Sequence, residues 1–197
     1  MKKIILYLGL ASIGGMIAGA ILLVFAIIIA TPNLPSLEAV TDYQPKVPLR
    51  IYSADEEMIG EFGEERRNVT PIAKFPDALK KAVLSIEDDR FYEHHGVDFQ
   101  GVARAALVNL GGGMSQGAST ITMQVARNFF LSNEKTLTRK LYEILLAWKI
   151  EQNLSKDKIL ELYMNQIYLG QRSYGFASAA RIYFGKNVNE LSIAESA

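Results

Sequence analysis

The chain has 197 residues, with 21 lysines and arginines against 21 aspartates and glutamates, so its formal net charge is zero. It contains no cysteine, which excludes a disulfide framework, a thiolate nucleophile and a zinc-thiolate site. Residues 31–100 hold 8 basic and 14 acidic side chains, whereas residues 101–197 hold 11 basic and 7 acidic ones. The later part therefore suits an anionic ligand better, although such mixed charge is also ordinary for a solvated surface.

An apolar segment begins the chain. Residues 4–30 carry no charge and exceed the roughly 20 helical residues that cross a bilayer. A cleaved signal peptide is the alternative, but its apolar part would be only about 7 to 15 residues long. Because Lys2 and Lys3 precede the segment, the positive-inside rule predicts a cytoplasmic tail at 1–3, a transmembrane anchor at 4–30 and export of the rest.

Residues 31–48 contain four of the six prolines of the chain and few apolar residues, which predicts an extended linker outside the core. Two short strands, 49–53 and 58–62, are predicted next around a polar turn. They form one hairpin.

The remaining sequence is predicted to be mainly helical, because apolar residues recur there with the helical period. The predicted helices run from Pro76 to about Glu87, from about 99 to 110, from after Ser119 to about 130, from about 136 to 153, and from Ser155 to Gly170, and a last one begins at Ser192. In the fourth of these, a buried stripe is predicted from Leu137, Leu141, Ile144, Leu145 and Trp148. The glycine-rich segment 111–117 is predicted to be mobile.

A polar cluster marks the end of the first of these helices. Glu87 lies there at the junction of an apolar face and a polar turn, where partial burial would suit general acid or base catalysis. An ordinary acidic helix end is the alternative. His94 and His95 are adjacent and point apart in any regular element, so no metal site is predicted.

Two further clusters could bind an anion. Ser119, Thr120 and Gln124 surround the start of a helix, where free N–H groups and the positive dipole end favour a phosphate. Arg127 and Asn128 lie on the same helix face as Gln124. A plain serine N-cap is the alternative for this block.

The other cluster lies on the long helix that is predicted at 136–153. Glu143 lies beside the apolar stripe of this helix, with Arg139 and Lys140 at i−4 and i−3, which keeps the acid ionised and forms a cationic patch. The alternative is a solvated helical ion pair.

These blocks carry a family resemblance. Glu87-Asp88-x-x-Phe91-x-x-His94-x-Gly96 resembles the first signature of the peptidoglycan glycosyltransferases, glycosyltransferase family 51. The segments 117–124, 139–143, 158–165 and 179–186 resemble the blocks that follow in that family, in the same order. The resemblance runs from about 49 to 197, and with the N-terminal anchor it suggests the start of a class A penicillin-binding protein.

The resemblance implies a mainly α, lysozyme-like glycosyltransferase domain at 49–197 that polymerises lipid II with inversion and releases undecaprenyl diphosphate. It implies that Glu87 is the base and that Glu143, with Arg139, Lys140 and Arg127, supports the diphosphate. The other residues implied to line the cleft are Asp88, Phe91, His94, Arg104, Ser119, Thr120, Gln124 and Asn128. No cofactor is required by these residues, although the family often uses a divalent cation, Mg or Mn, at the diphosphate.

The partners implied are lipid II, the nascent glycan chain, membrane lipids and, as a further option, cell-wall synthesis proteins, with no nucleic acid. The implied location is the bacterial cytoplasmic membrane, with the catalytic domain outside. Met123 departs from the family pattern, which usually has glutamine there, and the family domain would continue beyond Ala197. The rival hypotheses are a lysozyme-like hydrolase or lytic transglycosylase, and a non-catalytic membrane tether.

Overall fold

We describe a computed structural model of the chain, which covers residues 2–43, 48–63, 65–111, 117–132, 134 and 136–197. Its described part is mainly helical with two small two-stranded sheets, which confirms the predicted fold class. Most of the predicted mobile segment, 112–116, lies outside the described residues, as does Pro45 of the predicted linker.

Helix α1, Lys2–Ala30, is the apolar N-terminal helix. The range Gly9–Asn33, with a mean hydropathy of 2.8, is long and apolar enough to cross a membrane by length and composition. Its side chains are largely exposed, so the helix does not pack into the protein core. This is the arrangement expected of an anchor, whose apolar surface needs lipid contact.

The segment after α1 belongs to the core, and the prediction of an extended linker is wrong for it. The short helix α2, Glu38–Thr41, follows a 3-10 turn at Thr31–Asn33. Val40 is fully buried, and the Lys149 ammonium donates to the Pro35 carbonyl at 2.8 Å. The domain is therefore held close to the end of α1 and not at the end of a spacer.

The predicted hairpin is confirmed. Strand β1, Leu49–Tyr52, pairs antiparallel with β2, Met58–Phe62, and the register shifts between Ile51 and Tyr52. The apolar side chains of both strands are largely exposed, so the hairpin stands apart from the main core.

Five helices build most of the domain. They are α3, Asp77–Glu87; α4, Phe99–Leu110; α5, Ile121–Phe130; α6, Leu137–Asn153; and α7, Lys156–Gln166. All five were predicted within a few residues, although α7 stops four residues before Gly170. Helix α5 packs against α6 and α7, and the main core contains fully buried side chains from all three, including Val125, Leu146 and Leu160.

The buried face of α6 differs from the predicted stripe. Leu137 is 92% exposed and Trp148 is 42% exposed, whereas Leu146, Ala147 and Ile150 are fully buried. Leu137 and Leu141 instead line an apolar groove against the last turns of α1. The leucines at the start of α6 therefore face the membrane helix and not the core.

The C-terminal part contains the shortest elements. Strand β3, Arg66–Arg67, pairs parallel with β4, Ser173–Tyr174. Helix α8, Phe176–Ala179, continues as one π-helical turn at Ala180–Phe184. Helix α9, Ile193–Ser196, begins with the predicted capping box of Ser192 and Glu195.

Candidate active site

Glu87 is the last residue of α3, and its side chain is exposed. The expected partial burial is therefore wrong. Its Oε2 atom accepts a hydrogen bond from Gln124 Nε2 at 2.6 Å. Because Gln124 belongs to α5, this bond joins the ends of two helices that are 37 residues apart in sequence.

Asp88 ties the loop after α3 to the start of α5. Its buried carboxylate lies 2.9 and 3.0 Å from His94 Nε2 and accepts from the Ile121 N–H at 3.0 Å. The Ile121 N–H is one of the free donors in the first turn of α5, so a carboxylate there also benefits from the helix dipole. Thr120, the N-cap of α5, donates from its hydroxyl to the Gly96 carbonyl at 2.6 Å.

Gly96 closes the same loop against α6. Its φ is +86°, and a Cβ atom there would lie 3.1 Å from the backbone carbonyl atoms of Ala147. Both the conformation and the close approach require glycine. The segment 87–96 thus forms a loop that connects the end of α3 to α5 and to α6.

Glu143 lies at the centre of a second cluster and is 2% exposed. Arg139 Nη1 lies 3.1 Å from its Oε1, and Lys140 Nζ lies 2.9 Å from its Oε2. The predicted i−4 and i−3 pairs are therefore present, but the carboxylate that they share is buried and not solvated. Lys140 Nζ also donates to Ser119 Oγ at 2.9 Å.

One cleft contains the carboxylate and the hydroxyl-rich block. Glu87, Arg104 and Ser119 all line it. The Arg104 side chain is 58% exposed and lies 3.8 Å from Asp89. Since Lys140 contacts Ser119, the second cluster reaches this cleft. The remaining lining residues are Asp88, Asp89, Asp98, Gly101, Gly117, Ala118 and Thr120.

Arg127 and Asn128 are separate from the Arg139 and Lys140 pair. Arg127 is half-buried and its guanidinium forms no hydrogen bond or ion pair with another described residue, and Asn128 is exposed. Arg127 acts electrostatically on Tyr163, a buried residue of α7. Burial raises the pKa of the Tyr163 phenol, the negative charge of Glu87 raises it further, and Arg127 opposes both.

Phe91 is fully buried and belongs to the main core. Its ring meets that of His94 edge-on and lies beneath the Lys156 ammonium, which is 4.3 Å from the ring centroid. Phe91 and His94 are thus buried and do not line the cleft, whereas the buried Asp88 and the exposed Glu87 do. Tyr163, whose pKa responds to Glu87 and Arg127, was not identified as a site residue from the sequence. It lies among the apolar positions of its helix, which are typical of core residues.

Metal-ligating side chains do not cluster in this region. Across the described residues, no group of three or more His, Cys, Asp and Glu side chains is placed to hold a metal ion. The acids nearest to Glu87 have other partners, since Asp88 binds His94 and Asp98 caps α4. His94 is buried and His95 exposed, so the two histidines do point apart.

Comparison with known proteins gives a family match. The transglycosylase family matches residues 55–197. Penicillin-binding protein 1A of Neisseria gonorrhoeae is 62% identical over 93% of this chain and 23% of its own length. The protein of the same name from Escherichia coli strain K12 is 54% identical over 84% of this chain and 20% of its own length.

The chain spans about a quarter of the length of the curated relatives that it matches, for example 25% of penicillin-binding protein 1A of Neisseria cinerea, which is 59% identical. Among solved structures, penicillin-binding protein 1A of Haemophilus influenzae superposes with a TM-score of 0.34 at 27% identity. That superposition covers 78% of this chain and 13% of the solved one.

Proposed function

The chain belongs to the transglycosylase family, and from this membership we propose that it is a peptidoglycan glycosyltransferase that polymerises lipid II into β-1,4 glycan strands. One observation supports the proposal most directly. The exposed carboxylate of Glu87 opens onto the same cleft as Ser119, whose hydroxyl is bonded by the Lys140 ammonium. Glycosyl transfer from a diphosphate requires a base at the cleft and a cationic group close to it, here one bonded to a lining residue.

Glu87 acts as the general base. It takes the proton of the 4-hydroxyl group of the acceptor GlcNAc, and the oxygen attacks C1 of the donor MurNAc from the face opposite the diphosphate. The bond between C1 and the diphosphate oxygen breaks, so the anomeric configuration is inverted and the lipid diphosphate leaves with the bonding pair. An exposed carboxylate suits this role, because it can reach a bound hydroxyl group.

Lys140 stabilises the negative charge that develops on the leaving diphosphate. Glu143 does not exchange protons in this scheme, since it is buried between Arg139 and Lys140 and holds both cations in place. Arg127 of α5, whose guanidinium has no partner among the described residues, supports the donor diphosphate. Asp88, Phe91 and His94 hold the loop that follows the base, and Thr120 caps α5.

The apolar helix α1 anchors the enzyme in the bacterial cytoplasmic membrane, with the N-terminus in the cytoplasm and the domain outside. Lys2 and Lys3 favour this orientation. We extend the proposed glycosyltransferase domain, with its lysozyme-like fold at residues 49–197, to include residues 34–43, because Leu37 and Val40 are part of its core.

The substrate and partners follow from the same proposal. The enzyme uses lipid II and the growing glycan chain and contacts membrane lipids, and cell-wall synthesis proteins are further candidate partners. A divalent cation at the diphosphate stays a prediction. The described acids are not grouped to hold such an ion by themselves, so it would be held largely by the substrate phosphates.

Incubation of the chain with purified lipid II tests the proposal. We expect glycan polymer from the unmodified chain and a fall of about 10²- to 10⁴-fold in rate for Glu87→Gln, the usual contribution of a general base. Glu93→Gln is the matched control, because Glu93 lies in the same loop, is exposed and pairs only with Arg90 among the described residues.

A parallel incubation with purified sacculi separates the rival hypotheses. Shortening of finished glycan without polymerisation of lipid II would identify a hydrolase or lytic transglycosylase and overturn the proposal. Polymerisation by Glu87→Gln at the unmodified rate would remove Glu87 as the base.

A further inference from the structure

Gln124 has an unusual place beside the proposed base. In the described part of the chain, its side chain is the only hydrogen-bond partner of the Glu87 carboxylate, at 2.6 Å. A carboxylate can only accept, so the amide nitrogen of Gln124 and not its oxygen must face Glu87. The bond occupies Oε2 of Glu87 and leaves Oε1 without a described partner.

The two side chains differ in how firmly they are held. Gln124 is 8% exposed and lies in the first turn of α5, whereas Glu87 is exposed at the end of α3. Asp88 binds the N–H of Ile121 in the same turn of α5. Consecutive residues of the α3 end are therefore fixed to one helical turn, and the buried partner restrains the exposed one.

We propose that Gln124 is a positioning residue for the base. It holds Oε2 of Glu87 so that Oε1 faces the cleft and takes the proton of the acceptor hydroxyl. This inference rests on the proposed function and gives Gln124 a role in addition to the cleft-lining substrate contact that the family resemblance implied for it. It requires no contact between Gln124 and either sugar.

The inference predicts a loss of turnover and not of substrate binding. Without the amide N–H, the Glu87 carboxylate loses its one described hydrogen bond, so the base is held less precisely for proton transfer. The charged residues of the cleft, Asp88, Asp89, Asp98 and Arg104, remain in every Gln124 variant, and only the amide changes.

The test measures kcat and KM of lipid II polymerisation by the whole chain, with Gln124→Met and Gln124→Glu as variants. Methionine has the same length but no N–H donor, and glutamate places a like charge at the same point. We expect kcat to fall by about 10- to 100-fold, since small misplacement of a reacting group has effects of this size, with KM nearly unchanged. The fall should be larger for Gln124→Glu, because the introduced charge repels the Glu87 carboxylate.

Gln152→Met is the matched control, because Gln152 is exposed on α6; this variant should leave kcat and KM unchanged. Fluorescence of Trp148, the only tryptophan, checks that each variant folds. Either Gln124 variant alone is enough for the test. A rise in KM with kcat unchanged, or an unchanged kcat in both Gln124 variants, would overturn the positioning role while the function stands. Absence of polymer from the unmodified chain would instead overturn the proposed function and this inference with it.

Discussion

At the level of single residues, Glu143 shows how burial changes the contribution of an ion pair to stability. An acid with basic residues at i−4 and i−3 usually forms a surface pair that contributes very little to stability. Here the carboxylate is 2% exposed and Arg139 and Lys140 lie within 3.1 Å of it. Removing its charge would leave two cations together without a counter-charge.

We therefore expect Glu143→Gln to lower the free energy of unfolding by about 2–4 kcal/mol. The loss should fall toward the lower end of the range for buried pairs, because the Lys140 side chain is 41% exposed and can turn to water. Denaturant unfolding in detergent, followed by Trp148 fluorescence, measures it. Trp148 lies on the same helix, five residues along.

The matched control for this substitution is Glu56→Gln. Glu56 lies in the exposed hairpin turn and forms no ion pair with another described residue, so its change should stay within about 0.5 kcal/mol. A loss below 1 kcal/mol for Glu143→Gln, similar to that of the control, would show that the two cations need no buried partner.

At the level of elements, the segment between the membrane helix and the hairpin is the main departure from expectation. Leu37 and Val40 are three residues apart and are buried in the main core, and Tyr43 packs edge-on against Phe129 of α5 at 5.2 Å between centroids. Arg67 donates to the Tyr43 hydroxyl at 2.7 Å. The segment is thus joined to the domain by apolar contacts and by hydrogen bonds.

Val40→Ala tests this attachment. Val40 is fully buried, and the loss of buried methyl groups at about 0.8 kcal/mol each, with a cavity term, predicts a loss of about 2–3 kcal/mol in the free energy of unfolding. Val69→Ala, at a position that is 49% exposed, should have little effect. Equal unfolding midpoints for the two variants would show that the segment is a free spacer.

Local sequence patterns predicted the helices and the hairpin because these depend on short-range periodicity and caps. Ser155 and Ser192, for example, cap α7 and α9 as their positions predicted. The patterns failed for Leu137, since a periodic apolar residue can face either the core or a second apolar surface such as α1. Residues 31–48 contain few apolar residues and four prolines, so local patterns likewise did not predict that Val40 is buried in the core.

The candidate site was predictable only in its parts. The pairing of Glu143 with Arg139 and Lys140 follows from helical spacing, so the sequence revealed it. The bond between Gln124 and Glu87 and the bond between Lys140 and Ser119 join residues that are 37 and 21 positions apart. Contacts at such separations depend on tertiary packing, which no local pattern contains.

At the level of the whole molecule, the orientation of α1 decides whether the cleft can meet a lipid-linked substrate. The apolar range Gly9–Asn33 covers 25 residues, or about 37 Å at 1.5 Å per residue, which exceeds the roughly 30 Å of a hydrocarbon core. Because residues 34–43 dock directly onto the domain, the cleft should lie close to the outer surface of the membrane.

The absence of cysteine from the chain permits a direct test of this orientation. We expect Ala54→Cys in the hairpin turn and Asn189→Cys near the C-terminal end, both at exposed positions, to react with a membrane-impermeant maleimide in intact spheroplasts. The same positions should be protected in inverted membrane vesicles, and the unmodified chain gives the background. Reaction only in inverted vesicles would place the domain in the cytoplasm. If one of the two cysteines reacts in neither preparation, the surface around that cysteine is covered.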